Sequence, residues 1–581
     1  MTKFYFVVSI IVLLQSVIVG KTFSEQTKSS AKPFNLLFIM TDQHRYDVLG
    51  CAGNSVVKTP NLDALAADGV RFTSAYTPCP VCTPARTSIL TGRSIYSTGI
   101  DRNILTKQSP ENLPIWNQIS FDDILNKKGY FSEYHGKWHS PISLAGIKKT
   151  ADKSFYHHFG YYLFKDDGTF RYGNKEGDSL TELIHQNAPI DLNELKNGVQ
   201  YNQRFSRPYV PVKADVKYGK PSPTSLSRKS NNKNNNDTEN DTDNNIANNA
   251  VEIGQLILNA NYSQTSFQRN LVLEALDNAF ASAQPFNITA SFSFPHPPYL
   301  VTEPYFSIYR ANNEPIKEFD KLISPSIDDR SPDSPYALQS SQRGMRHYFH
   351  DRAKITDAMS VYYALVTEVD DAIGKLIQKL KENDEYNNTL IIYTSDHGEM
   401  LGAHGRNGKG VFFEESIRVP LIIKLPENVH KGLVIDKPVT TTDLFATILD
   451  YTIVDTTTLS EGKSLRRLIE NPDTNDWKDY AVIEWSHKHD NVPSYCVVTK
   501  EWKLMLARSN RAKNALYDLK NDPNELVNLL SEVNSNTSKK EQYRETINRL
   551  KNNLLEWMNQ NGHSDKELIR NIDVFSTSAT K

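Results

Sequence analysis

Four strand-length segments of this chain each run straight into a cluster of polar residues, and two of them are apolar at nearly every position. Phe34-Asn35-Leu36-Leu37-Phe38-Ile39-Met40 leads to Thr41-Asp42-Gln43-His44-Arg45, and Thr389-Leu390-Ile391-Ile392-Tyr393-Thr394-Ser395 leads to Asp396-His397-Gly398-Glu399. A strand facing water on one side would alternate. One that is apolar throughout must be covered on both faces, as a central strand of a parallel sheet is. Gly129–His139 and Phe286–Phe294 read as two further strands, the first ending on Lys137-Trp138-His139 and the second meeting Pro295-His296-Pro297-Pro298. Open α/β sheets place ligands at such strand ends. The expected class is α/β, a large mixed, mostly parallel sheet flanked by helices.

The covering helices leave their own periodicity. Ala353–Lys381 carries Met359, Tyr362, Val366, Val369, Ile373, Leu376 and Leu380 at three- and four-residue spacing, the stripe of a core helix and not a cofactor box. Thr59–Ala66 reads as a capped helix, Thr442–Leu449 as another covering helix, and Gly69–Tyr76 as a strand feeding the segment after it. Beyond residue 475 the pattern changes to short alternating runs (Tyr480–Glu484, Tyr495–Thr499, Lys503–Ala507) and a terminal helix, Glu541–Met558. That predicts a small antiparallel sheet with a helix packed on it. With 581 residues the chain exceeds one typical core. The predicted organisation is a leader over 1–24, a large domain over 33–475 and a smaller α+β subdomain over 476–575. Residues 213–249, rich in Lys, Ser, Asn and Asp, read as a disordered or glycosylated insertion.

Composition excludes some functions and suggests a compartment. Lys+Arg 66 against Asp+Glu 68 leaves no global field to attract nucleic acid. Phe4–Gly20 is apolar between Lys3 and Lys21 and reads as a signal peptide, with an uncleaved anchor as the alternative. Sequons at Asn236, Asn240, Asn261, Asn287, Asn387 and Asn536 fit the secretory route, lysosomal or secreted. There are four cysteines, Cys51, Cys79, Cys82 and Cys496, too few for a disulfide-stapled scaffold.

Two of those cysteines stand in Cys79-Pro80-Val81-Cys82-Thr83-Pro84-Ala85-Arg86, followed by Thr91-Gly92. Pro84 suits the first turn of a helix, where its missing N–H costs nothing. Cys82 then sits at the positive end of that helix, with Arg86 four residues on and on the same face. A small reactive side chain, a fixed cation and a helix start make an anion site with a nucleophile in it. A buried structural cysteine and a Cys79/Cys82 redox pair are the competing readings, and the leader weighs against the second.

The motif Cys82-x-Pro84-x-Arg86 with Thr91-Gly92 resembles the signature of the type I sulfatases, of the alkaline phosphatase-like superfamily, and further matches in family order run from residue 35 to about residue 530. The resemblance implies that Cys82 is oxidised to Cα-formylglycine by the formylglycine-generating enzyme, and that the aldehyde hydrate is the nucleophile. It also implies a divalent metal held by Asp42, Gln43, residue 82, Asp396 and His397, with Ca²⁺ the usual ion. Many members carry a carboxylate where Gln43 stands and an amide where His397 stands. A histidine nitrogen suits Mn²⁺, Fe or Zn²⁺ better than Ca²⁺, so those ions stay open, as does contact of His397 with substrate.

By the same resemblance Arg86, Lys137 and Lys409 hold the sulfate and His139 assists the residue-82 diol. His296 binds the ester oxygens or protonates the leaving group, a task Lys409 could share. On an extended strand Lys137 and His139, two apart, would point to one side. His404 and Arg406 lie nearby in sequence and could reach substrate. The implied activity is hydrolysis of a sulfate monoester, of a small molecule or a glycan. A phosphonate monoester or phosphodiester hydrolase on the same site is the nearest alternative, and an unmodified glycan-binding protein a more distant one. Oligomeric state does not follow from any of these features.

Overall fold

The computed structural model describes residues 33–103, 119–142, 162–164, 170–172, 200–202, 207–212, 253–329, 333–336, 351–452, 460–485, 492–509, 512–533 and 537–575. The leader, the 213–249 insertion and the sequons at Asn236, Asn240 and Asn536 lie outside the described residues.

The centre is a seven-stranded sheet. Its strands in chain order are β1 (Asn35–Asp42), β2 (Val70–Phe72), β3 (Phe131–Gly136), β4 (Phe286–Pro295), β5 (Thr389–Ser395), β6 (Leu421–Lys424) and β7 (Leu433–Ile435). In space the order is β7-β2-β6-β5-β1-β4-β3. The pairs β1–β4, β1–β5, β4–β3 and β7–β2 are parallel, while β6 runs antiparallel to β5 and β2, so the sheet is mixed and mostly parallel.

Alternate residues of the apolar strands enter two different cores, as pleating requires. Leu37, Ile39, Ile288, Ile391 and Tyr393 pack with the stripe of a helix spanning Arg352–Glu382, from Met359 to Leu380. Leu36, Phe38, Met40, Leu390 and Ile392 face the other way, onto Phe121, Leu125, Leu444, Phe445 and Ile448 from helices Phe121–Lys127 and Asp443–Thr452. Each fully buried side chain of this size contributes about 1.5–3 kcal/mol, which makes these strands the fixed frame of the molecule.

Parallel register brings the polar tips to one edge. Thr41 lies opposite Ser395, Asp42 opposite Pro295, and Ser291 opposite Gly136. The residues that follow, Gln43, Asp396, His296 and Lys137, leave the sheet on the same side.

Several local expectations are corrected. Gly69–Tyr76 is two strands, not one: Val70–Phe72 in the main sheet and Ala75–Tyr76 paired with Val439–Thr440. Thr59 does not cap the helix Pro60–Ala67 through its side chain. The Asp370 carboxylate on the long helix accepts from Asn61 N (3.1 Å) and Leu62 N (2.8 Å) instead. Asn287 is a buried residue of β4 whose amide donates to Asp122 Oδ1 at 2.9 Å, so this sequon is core and cannot carry a glycan in the folded chain. The Asn261 and Asn387 side chains are exposed. All four cysteines are free thiols.

The C-terminal part forms a four-stranded antiparallel sheet, Ala481–Glu484, Tyr495–Val498, Trp502–Leu506 and Ala515–Asp518, in sequence order. Leu550, Leu554 and Met558 of helix Thr537–Gln560 pack on it with Val497, Leu504 and Leu516. The fourth strand is an addition to the three expected. Among the described residues no helix is long and apolar enough to cross a membrane.

Candidate active site

Cys82 is the first residue of a helix that runs to Thr91 and closes on Gly92, in the left-handed region at φ 66°. Pro84 lies in its first turn. Arg86, one turn on, is fully buried. Its Nε donates to Asp396 Oδ2 at 2.7 Å and one terminal nitrogen to Asp42 Oδ2 at 3.3 Å. The other terminal nitrogen donates to the Lys137 carbonyl (2.8 Å) and Ser291 Oγ (2.9 Å). These four bonds all end on protein oxygens, so Arg86 ties together the tips of four strands.

Asp42 is the last residue of β1, and Gln43 follows at φ 70°, outside the strand. Asp396 and His397 follow β5 directly. Gly398 serves there by close approach, since a Cβ would strike the Glu415 carbonyl while its own N–H donates to Ser416 O at 2.9 Å. Asp42, Cys82, Asp396 and His397 present ligand atoms that all lie within 4.8 Å of one another, every one buried. His397 Nδ1 bonds to the Gly398 carbonyl (2.9 Å), which turns Nε2 toward Cys82 Sγ at 3.0 Å. Burial lowers His397 to about 4, so the ring is neutral and Nε2 carries a lone pair. The Gln43 amide gives its Nε2 to Glu399, leaving Oε1 as a donor atom. Two carboxylates, an amide oxygen and a neutral imidazole form a chemically sound donor set for a divalent cation.

Cations crowd the same point. Lys137 pairs with Asp42, and Lys409 Nζ donates to Cys82 Sγ (2.8 Å) and Gln43 Oε1 (3.0 Å). Burial works against ionising Asp42, but Lys137, with Lys409 and Arg86, outweighs it and holds the carboxyl well below its usual range. Burial lowers Lys137, and Asp42 partly restores it. Burial and then Lys409 keep His296 neutral, with Nδ1 bonded to the Pro297 carbonyl at 2.7 Å. Burial and the Asp42 charge push the Cys82 thiol up to about 11, so the unmodified side chain is a neutral thiol. Lys409, with Asn407 and Gly408, is partly exposed and marks the open side of the site.

Lys137 and His139 are not related by strand alternation. The strand stops at Gly136 (φ 101°), where a Cβ would meet the Ser291 carbonyl, and His139 is itself left-handed at φ 45°. Both are buried at this exit. His404 and Arg406 are engaged elsewhere: His404 Nδ1 bonds Asp329 Oδ2 (2.7 Å) and its ring stacks on Phe413, while Arg406 donates to the Tyr336 carbonyl at 2.9 Å.

Three supporting residues were not foreseen. Ser291 Oγ bridges Arg86 and the Lys137 carbonyl, Thr77 Oγ1 donates to the Asp396 carbonyl (2.6 Å), and Glu399 holds Gln43. Only Glu399 carried a signal, as the acid closing the Asp396-His397-Gly398-Glu399 cluster.

A comparison with protein families matches residues 34–454 to the sulfatase family and 402–561 to the C-terminal region of N-sulphoglucosamine sulphohydrolase. The chain belongs to the sulfatase family. An arylsulfatase of Clostridium perfringens is 27% identical over 548 residues, 91% of this chain and 96% of that one. An N-acetylglucosamine-6-O-sulfatase of Bacteroides thetaiotaomicron is 26% identical over 526 residues, 88% of this chain and 86% of the relative. A solved structure in complex with its substrate D-glucosamine-2-N,6-O-disulfate superposes with a TM-score of 0.60 at 21% identity, covering 92% and 99% of the two chains. As a sulfatase of the alkaline phosphatase-like superfamily, the protein is a sulfuric ester hydrolase, and its substrate is a sulfated compound.

Proposed function

We propose that this sulfatase cleaves the sulfate ester of a sugar through a Cα-formylglycine made from Cys82, with a divalent cation, Ca²⁺ first among candidates, at Asp42, Gln43, residue 82, Asp396 and His397. The observation that carries the reading is the single cluster of Cys82, Asp42, Asp396 and His397 with Lys409 bonded to the Cys82 sulfur. The aldehyde hydrate supplies a nucleophile that the high-pKa thiol does not, and the cation, when bound, supplies positive charge to the sulfate oxygens. Lys409, at the open side, and Lys137 neutralise the charge that grows as the ester bond breaks. Lys409 donates a proton to the departing alcohol oxygen, since the one N–H of neutral His296 is held by the Pro297 carbonyl, and His139 takes one from the residue-82 hydroxyl. Arg86 holds Asp42 and Asp396 in place, so that the carboxylates do not swing toward the incoming anion.

A sugar sulfate is favoured over an aryl sulfate by the glucosamine sulfatase relative and by the sulphoglucosamine-type C-terminal region. The leader and the exposed sequons Asn261 and Asn387 support a secretory route, where the formylglycine-generating enzyme would meet the chain.

Mass spectrometry of the tryptic peptide ending at Arg86, with release assays on glucosamine 6-sulfate, an aryl sulfate and a phosphonate monoester, tests this. An intact thiol at Cys82 in active protein would refute the formylglycine. Faster phosphonate than sulfate turnover would replace the reading by the hydrolase alternative.

A further inference from the structure

Glu399 is not in the cluster of candidate ligands, yet it is fully buried and bonded to a residue beside it. Its Oε2 accepts from Gln43 Nε2, and its Oε1 accepts from Leu401 N (3.0 Å) and from Gly408 N. An amide has two ends of nearly equal size, so packing alone cannot choose which one points inward. Chemistry can, because a carboxylate partner takes only the NH₂ end. The opposite end agrees: Gln43 Oε1 accepts from Lys409 Nζ at 3.0 Å, and that ammonium also bonds the Cys82 sulfur at 2.8 Å. The Gln43 backbone is pinned as well, with N–H on Asp396 Oδ1 (3.1 Å) and carbonyl on Tyr362 OH (2.6 Å). With the backbone held, Glu399 selects which end of the amide faces the cluster. Hydrogen-bonding to the NH₂ end also raises electron density on the oxygen, as supporting carboxylates do for metal-bound histidines.

We propose that Glu399 is a positioning residue that fixes the Gln43 amide with its oxygen turned to the cation cluster, and so sets the affinity of that cluster for a divalent ion. The inference rests on the metal-dependent reading above. A role confined to holding the Leu401–Gly408 turn would leave ion affinity independent of Gln43, and this is the point of the test.

Chelator-stripped full-length protein is titrated with Ca²⁺ alone and with Mn²⁺ alone by calorimetry, in a cycle of wild type, Glu399→Gln, Gln43→Ala and the double variant. An amide at 399 can face either end of Gln43, so Glu399→Gln weakens binding by about tenfold or more. In the Gln43→Ala background the same change has no further effect. Equal loss in both backgrounds, or no loss in the first, overturns the proposal. The exchanged pair Gln43→Glu with Glu399→Gln restores one donor facing one carboxylate and keeps ion binding near wild type. Absence of binding in that folded pair also overturns it, and the pair serves if Glu399→Gln alone does not fold. Wild type that took up neither ion would sink the metal reading itself, whereas a bound ion indifferent to Glu399 would sink only this inference.

Discussion

Asp122→Asn should flatten the pH dependence of stability. Asp122 lies in the first turn of helix Phe121–Lys127, with no exposed surface. Its Oδ1 accepts from Asn287 Nδ2 (2.9 Å) and Thr289 Oγ1 (3.4 Å), while Oδ2 has no partner. Burial lifts the carboxyl from its ordinary 3.8 to about 7, against the pull of the two hydrogen bonds. The unfolded chain therefore loses this proton near pH 4 and the folded chain near pH 7. Between those values the folded state binds one more proton, so stability is full in acid and falls as pH rises to 7. At about 1.4 kcal/mol per pKa unit, the loss is roughly 4 kcal/mol. Asparagine keeps the acceptor for Asn287 and cannot ionise. Any fixed cost of its buried NH₂ is the same at every pH and cancels in the comparison. Urea unfolding of wild type and variant at pH 4.5, 6 and 8 should show the variant gaining about 3–4 kcal/mol on wild type across that range. Parallel curves for the two proteins would refute the argument.

Lys409→Met removes the ammonium at the open side of the site and should lower kcat/KM for a sulfate ester by about 10²–10³, measured by sulfate release, with little change in unfolding midpoint. Chelation should abolish turnover and lower Tm, both recovering on Ca²⁺ or Mn²⁺ addition; at an ion concentration of about 100 Kd the stabilisation is about 2.7 kcal/mol. Lys503 is buried between Glu414 (2.9 Å) and Glu525 (2.7 Å), joining the C-terminal sheet to the segment after Lys409. Lys503→Met leaves Glu525 without its cation and Glu414 with Arg418 alone (3.4 Å), and should cost about 3–5 kcal/mol by denaturant unfolding, part of which Glu525→Gln in the same chain restores.

The frame of the fold was legible where one cause dominates. Strands apolar at every position admit few surroundings, and β5 and the long helix Arg352–Glu382 fall within a residue of where the pattern puts them. Legibility fails where a partner decides. Gly69–Tyr76 reads as one strand locally, but Thr73 N bonds Ile435 O (2.9 Å) and Ala75–Tyr76 turn to Val439–Thr440, so two sheets divide it. Asn287 reads as a glycan acceptor in sequence and is a central core residue because β4 lies between β1 and β3.

The site divides the same way. Groups with intrinsic chemistry at strand ends (Asp42, Asp396, His397) could be named, since parallel register carries strand ends to one edge whatever the loops do. What each of them does there depends on contacts spanning hundreds of residues, as Gln43 with Glu399, Arg86 with Asp396, and Lys409 with Cys82 show. No local pattern encodes such pairs, so the four protein oxygens that Arg86 holds could not be read from the sequence. A turn can be guessed from sequence, whereas the reason for Gly398 is the backbone of Glu415 arriving from another element. Buried charge makes these supports necessary. Removed from water, Asp42 and Asp396 are tolerable only beside Arg86 and Lys137, so the groups that hold a cation and those that hold an anion have to be folded into place together.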